Sequence, residues 1–421
     1  MHWHAAFLVF LKGRISMTKL TLPNGVRVLT HPMEHTRSVS IGIWVEVGSR
    51  HEQPEESGMA HFIEHMLFKG TKTRSAKDLA IAFDTIGGNS NAYTSKEQTC
   101  YYTRVVDRYA ERAIELLGDM LWNSVFDPEE MEREKQVIIE EIHMVEDTPD
   151  DIVHEYLWEG IYKNHPLARP ILGTSETVAS FSREQVCAFY NKMYHPSRII
   201  VSVAGNVNDS LIQQIEKTFG AVEWENQEQE EVLPAPFYSV EIVNEREIEQ
   251  AHVTLAWNSH SVLDEDIYAI VLLQTMLGGS MSSRLFQTIR EEKGLAYSIY
   301  CYHTSYIDGG VFAIYGGTST DQVNELLAAI DEIVKDICTT GFTSQELDNA
   351  LAQIESNLIL SLESSTTWMN RLARNEILYG EQHSVESYLE KYKAVTLEDI
   401  LRVAQLFQNP KSCSILKPYA S

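Results

Sequence analysis

The chain reads twice. Residues 126–131 are FDPEEM and residues 342–347 are FTSQEL, an offset of 216. Each follows an amphipathic helical pattern, YAERAIELLGDMLWNSV in the first half and VNELLAAIDEIVKDICTTG in the second, and each opens another long one. Further on, FSREQVCAFYNKMYHPSRIIVSVAG (181–205) resembles VTLEDILRVAQLFQNPKSCSILKP (395–418), with Pro196 and Pro410 aligned at an offset of 214. Both segments run from a capping Ser or Thr through a helix and a proline break into a β-rich strand. A repeat of this length means two copies of one folding unit, and that excludes most other architectures for a chain of 421 residues.

Each half opens on β-rich runs, SVSIGIWVEVGS and EQAHVTLAWNS; helices follow and strands return. The expected fold is α+β: two homologous domains, each a mostly antiparallel sheet packed with helices on one face. The acidic, Gln-rich stretch EWENQEQEEVLPAPFY reads as an exposed linker. The expected division is therefore an N-terminal extension 1–16, a first domain 17–222, a linker 223–238 and a second domain 239–421. The extension MHWHAAFLVFLKGRIS has an apolar centre with no positive charge before it and Lys and Arg after it. That is the reverse of a secretory signal, and it lacks the Arg/Ser-rich pattern of a transit peptide. The expected location is a bacterial cytoplasm. Five dispersed cysteines suit a reducing compartment. A formal charge of −26 opposes nucleic-acid binding, and the apolar runs are too short to span a membrane.

One stretch has no counterpart in the second half. GMAHFIEHMLFKGT (58–71) carries His61, Glu64 and His65, where the second half reads LGGSMSSRLFQTIREEKGLAYS. On a helix, positions 61 and 65 lie one turn apart on one side, with 64 beside them. Two neutral imidazoles there could hold Zn²⁺, and the carboxylate could take a proton from a metal-activated water. The same five residues could equally form a solvated helix face. A third ligand would decide between the two. MEREKQVIIEEIHMVEDTPDD (131–151) reads as a long helix with Glu134 and Glu141 two turns apart on one face. Val137, Ile138 and Ile142 are expected to anchor it in a core.

The combination resembles the pitrilysin family of inverted-motif zinc peptidases, most closely the bacterial relatives of the processing-peptidase β subunit of mitochondria. The family places a glutamate ligand some 75 residues after its His-x-x-Glu-His motif; here Glu141 follows His65 by 76. The resemblance extends over GGNSNAYTSKEQTCYY (87–102) and HPLARPILGTSETV (165–178) to the C-terminal repeat. It implies one Zn²⁺ per chain on His61, His65 and Glu141, Glu64 as general base, and Glu134 as support for a ligand. The second half cannot build such a site: Ala350 and Asn357 stand where the first half has Glu134 and Glu141.

By the same resemblance, Arg290 and Tyr297 of IREEKGLAY bind the substrate carbonyl and the developing oxyanion. Read without it, they are a surface arginine and a core tyrosine of a strand. Asn91, Ala92, Tyr93 and Thr94 are expected on an edge strand that takes up extended peptide by strand addition, or that is simply an edge strand. Asp151 and Glu155 correspond to acids that hold an arginine before the cleavage site; the alternative is two solvated acids of a surface helix. Relatives of this length imply a two-fold homodimer, each chain half of a clamshell with its two domains facing each other, acting on unfolded and cationic peptides. The other reading the resemblance leaves open is a non-catalytic assembly subunit of the same fold.

Overall fold

A computed structural model describes residues 17–222, 224 and 234–419. The expected extension 1–16 and most of the linker 223–238 lie outside the described residues. The first half contains β1 (Thr18–Thr21), β2 (Arg27–Pro32), β3 (Ser38–Val45), α1 (Met59–Met66), α2 (Ala76–Ile86), β4 (Asn89–Thr94), β5 (Thr99–Val106), α3 (Ala110–Asn123), α4 (Pro128–Glu146), α5 (Pro149–Tyr162), α6 (Ser175–Ser180), α7 (Arg183–Met193), β6 (Ile199–Gly205) and α8 (Asp209–Gly220). The second contains β7 (Glu241–Arg246), β8 (Ala251–Ser259), α9 (Ile267–Gly278), β9 (Ser298–Ser305), β10 (Gly310–Thr318), α10 (Val323–Thr340), α11 (Ser344–Ser361), α12 (Ser365–Tyr379), α13 (Val385–Ala394), α14 (Leu397–Ala404) and β11 (Ser412–Pro418).

The repeat is visible in the sheets. The first has strand order β1-β2-β6-β3-β5-β4 and the second β7-β11-β8-β10-β9. Apart from the extra β1, the order is the same. Each sheet is antiparallel except at one equivalent pair, β2 with β6 and β7 with β11. The mixed α+β architecture is therefore the one the sequence patterning implies.

The compact units are not contiguous in the chain. One comprises 17–142, 170–222 and 361–382; the other comprises 143–169, 234–360 and 383–419. The repeat-equivalent helices α5 and α12 have changed places, so each packs on the sheet of the other half. In the first unit, Val28, Ile43, Tyr101 and Val201 face a core with α1, α2, α3 and α7. Their strand neighbours Leu29, Trp44, Cys100 and Ile200 face Met369, Leu372 and Ala373 of α12. Side chains alternate along a strand, so α12 covers the opposite face. In the second unit, Leu255 and Ile314 face α9 and α10, while Ala256 and Ala313 meet Leu157, Trp158 and Ile161 of α5. Each sheet is thus covered by helices on both faces, not on the one face that the sequence patterning implies, and burial on both sides explains why the central strands read as nearly unbroken apolar runs.

Candidate metal centre

The site is built on α1, a helix of eight residues. Met59, Phe62, Ile63 and Met66 are buried in the core, which leaves His61, Glu64 and His65 on the remaining face. So short a helix needs help at its start. The buried carboxylate of Glu52 supplies it, accepting the Gly58 and Ala60 N–H groups at 2.9 Å each. Gly58 has φ +92°, and a Cβ there would sit 2.5 Å from the Leu172 carbonyl oxygen, so only glycine fits. Thr177 donates to the Ser57 carbonyl at 2.7 Å. The segment around Gly173 thus braces the entry to α1.

Helix α4 brings the third group. Met131, Ile138 and Ile142 bury one stripe of it, and Glu134 is 3% exposed on the same stripe. Val137 does not join them; it is 52% exposed, because one residue beyond the stripe turns the side chain about 100° away. Glu141 Oε2 lies 3.8 Å from His61 Nε2 and 3.7 Å from His65 Nε2. One ligand atom from each of the three residues lies within 4.8 Å of the others. Tetrahedral zinc with bonds of about 2.0–2.1 Å spaces its ligand atoms by about 3.3 Å, and the two carboxylate–imidazole distances exceed that by about half an ångström or less. Two imidazole nitrogens and a carboxylate oxygen are the donors zinc prefers, and the arrangement fits the metal.

The surroundings fix the ligands. His65 Nδ1 is 2.7 Å from Glu134 Oε1, which leaves Nε2 for the site. Glu134 Oε2 is held in turn by Lys69 Nζ at 2.6 Å. Burial lowers the His61 pKa to about 3, so this ring is neutral and ready to donate its lone pair. Burial also disfavours charge on His65, but the Glu134 hydrogen bond and the charges of Glu134, Glu64 and Glu141 outweigh it and raise its pKa. Burial pushes the Glu64 carboxyl up, opposed by a hydrogen bond from Thr94.

Asn91, Ala92, Tyr93 and Thr94 lie on β4, the edge strand of the first sheet, paired to β5 on one side. Thr94 Oγ1 donates to Glu64 Oε2 at 2.5 Å. The sequence assigned these residues to the strand; it gave no sign of the side-chain contact. Glu52 and Lys69 were also missed. Neither has a recognised spacing: Glu52 lies six residues before Gly58, outside a capping pattern, and Lys69 acts on Glu134, which only the fold brings near.

The remaining candidates belong to the second unit. Arg290 lies in a π-helical turn, Phe286–Glu292, with its guanidinium 4.4 Å from the Tyr297 ring centre and 4.7 Å from that of Phe286. Tyr297 is 80% exposed, so it is no core tyrosine. Asp151 and Glu155 stand one turn apart on α5. Asp151 is exposed, and its carboxyl is raised by partial burial and by Asp150. One Glu155 oxygen is buried without a hydrogen-bond partner among the described residues.

The sequence profile described as insulinase (peptidase family M16) matches residues 27–175, and the one described as the peptidase M16 inactive domain matches 180–354. A Bacillus subtilis protein named as an uncharacterized zinc protease is 45% identical over 95% of this chain and 98% of its own length. A Streptomyces coelicolor protein with the same description is 38% identical over 96% of this chain and 90% of its own. A protease from Helicobacter pylori has the same fold, with a TM-score of 0.87 and 23% identity over 96% of this chain and all of that one. So does a peptidase M16 inactive domain from Pseudomonas fluorescens, with a TM-score of 0.90 and 18% identity over 97% and 99%.

Proposed function

The chain belongs to peptidase family M16, the pitrilysin family, and on that premise we propose that it is a zinc-dependent endopeptidase acting on extended peptides. The observation that carries this reading is the convergence of His61 Nε2, His65 Nε2 and Glu141 Oε2 beside the Glu64 carboxylate. When bound there, zinc supplies Lewis acidity, which brings the pKa of water to about 7. His61, His65 and Glu141 hold one Zn²⁺ per chain. Glu64 takes the proton of the attacking water and passes it to the leaving amine. Glu134 keeps His65 turned to the metal.

The open side of β4 supports an extended substrate, because an added strand is held by backbone hydrogen bonds at Asn91–Thr94 without demanding a fixed sequence. Arg290 and Tyr297 are assigned to the carbonyl oxygen as negative charge develops on it; the exposure of Tyr297 and its contact with the guanidinium favour that role. Asp151 and Glu155 are assigned to an arginine two residues before the scissile bond. A carboxylate binds guanidinium bidentately, and the net charge of −26 favours cationic peptides. A two-fold homodimer in a bacterial cytoplasm, unconnected with nucleic acid, completes the proposal. Among the described residues no helix is long and apolar enough to cross a membrane. All the residues the chemistry needs are present, which disfavours a non-catalytic assembly role.

A peptide-library cleavage profile tests the reading. Cleavage should stop with a chelator, return with Zn²⁺, and favour Arg at the second position before the cut. The Asp151→Asn/Glu155→Gln double variant should lose that preference. Absence of cleavage by the zinc-loaded protein contradicts the peptidase assignment; cleavage that survives metal removal contradicts the zinc assignment; indifference to Arg contradicts only the pocket.

A further inference from the structure

We propose that Thr94 is a positioning residue for Glu64: its hydroxyl holds the carboxylate in one orientation and ties it to the edge strand. This rests on the peptidase reading above. Glu64 is 8% exposed, and among the described residues Thr94 is the only hydrogen-bond donor to its carboxylate, at 2.5 Å. The direction of the bond follows from counting hydrogens. An ionised carboxylate only accepts, so Thr94 must donate. Thr99 Oγ1 gives its own hydrogen to the Val47 carbonyl at 2.8 Å and, at 3.4 Å from Thr94 Oγ1, is a far longer contact than the carboxylate.

Thr94 is itself firmly placed. It is the last residue of β4, paired with Thr99 in the antiparallel ladder. A β-branched side chain in a strand has little freedom at χ1. The Glu64 side chain, in contrast, has a terminal torsion with a broad minimum. Without the hydroxyl the carboxylate would be free to turn within its pocket, and a base works only from a narrow range of positions. Because the same strand offers its backbone to an added peptide, the residue that receives substrate also sets the base. Its loss should therefore appear in turnover and not in binding.

The test compares wild type, Thr94→Val, which keeps shape and removes the hydroxyl, and Thr94→Ser, which restores it. Crystal structures of the zinc-loaded proteins read the Glu64 carboxylate, and peptide hydrolysis gives kcat and KM. In Thr94→Val the carboxylate should leave its wild-type position, kcat should fall about tenfold to a hundredfold, KM should stay within about twofold, and zinc content should not change. Thr94→Ser should restore both position and kcat. An unmoved carboxylate in Thr94→Val, an undiminished kcat, or failure of serine to rescue overturns the proposal. The crystallographic readout does not need turnover. A carboxylate that moves in a protein whose wild type cleaves no peptide would leave Thr94 as the positioning residue and remove the peptidase reading instead.

Discussion

Two buried histidines of the first unit separate a packing role from a candidate ligand role. His31 is 3% exposed and stacks on Trp368 with ring centres 3.8 Å apart. Burial lowers its pKa to about 4, and its Nδ1 has no hydrogen-bond partner among the described residues. His61 is as buried, and its pKa is lowered for the same reason. Of the two, only His61 has a second imidazole and a carboxylate near its Nε2, so convergence, not burial, marks the candidate ligand. His31 has its own consequence. The unfolded chain takes up this proton near pH 6.5 and the folded chain near pH 4, so stability is lost as pH falls through that window. At pH 5 the loss should be about 2 kcal/mol from this residue. His31→Phe keeps the stack and removes the titration; its urea midpoint should fall less than that of wild type between pH 7.5 and pH 5. Parallel falls would contradict the assignment. The candidate ligands were legible in the sequence because two imidazoles one helical turn apart share a face, a spacing visible in HFIEH, and because the resemblance pointed to Glu141. The Thr94 hydroxyl was not, because a hydrogen bond across 30 residues follows no local periodicity.

At the level of elements, α1 shows how little of a site its own helix can determine. Eight residues cannot sustain a helix by propensity, and Gly58 offers no side-chain cap. Glu52 provides the missing cap with two hydrogen bonds from a buried carboxylate. Capping patterns in sequence span three residues, so an acid six before Gly58 goes unnoticed. Glu52→Ala should cost about 1–3 kcal/mol, since it removes a charge-assisted cap and leaves buried N–H groups without partners. It should also weaken zinc binding by loosening the helix that carries His61 and His65. Chemical denaturation and competition with a zinc indicator would measure both. Unchanged zinc affinity in a folded Glu52→Ala protein would mean that the first turn of α1 is held by other contacts. The strands were easier to read, since apolar runs such as SVSIGIWVEV mark them plainly, but the patterning implied helices on one face only, whereas α5 and α12 cover the other as well.

At the scale of the whole chain, the repeat established that two copies of one unit exist, and the shared strand order bears this out. It could not reveal the exchange of α5 and α12. Repeat-equivalent helices present similar apolar faces, and sequence similarity does not say which sheet each one covers. The exchange predicts an effect displaced along the chain. Met369 lies in the second half but is buried against Trp44 and Ile200 of the first sheet. Met369→Ala should cost about 2–5 kcal/mol. Amide exchange should quicken in β3 and β6 more than in β8 and β10. The reverse pattern would contradict the exchange. The central claim is tested most directly by metal content and turnover measured together on wild type, Glu64→Gln and His65→Ala. The account predicts one zinc per chain and peptide cleavage in wild type, zinc without cleavage in Glu64→Gln, and neither in His65→Ala. Cleavage by Glu64→Gln at the wild-type rate would contradict it.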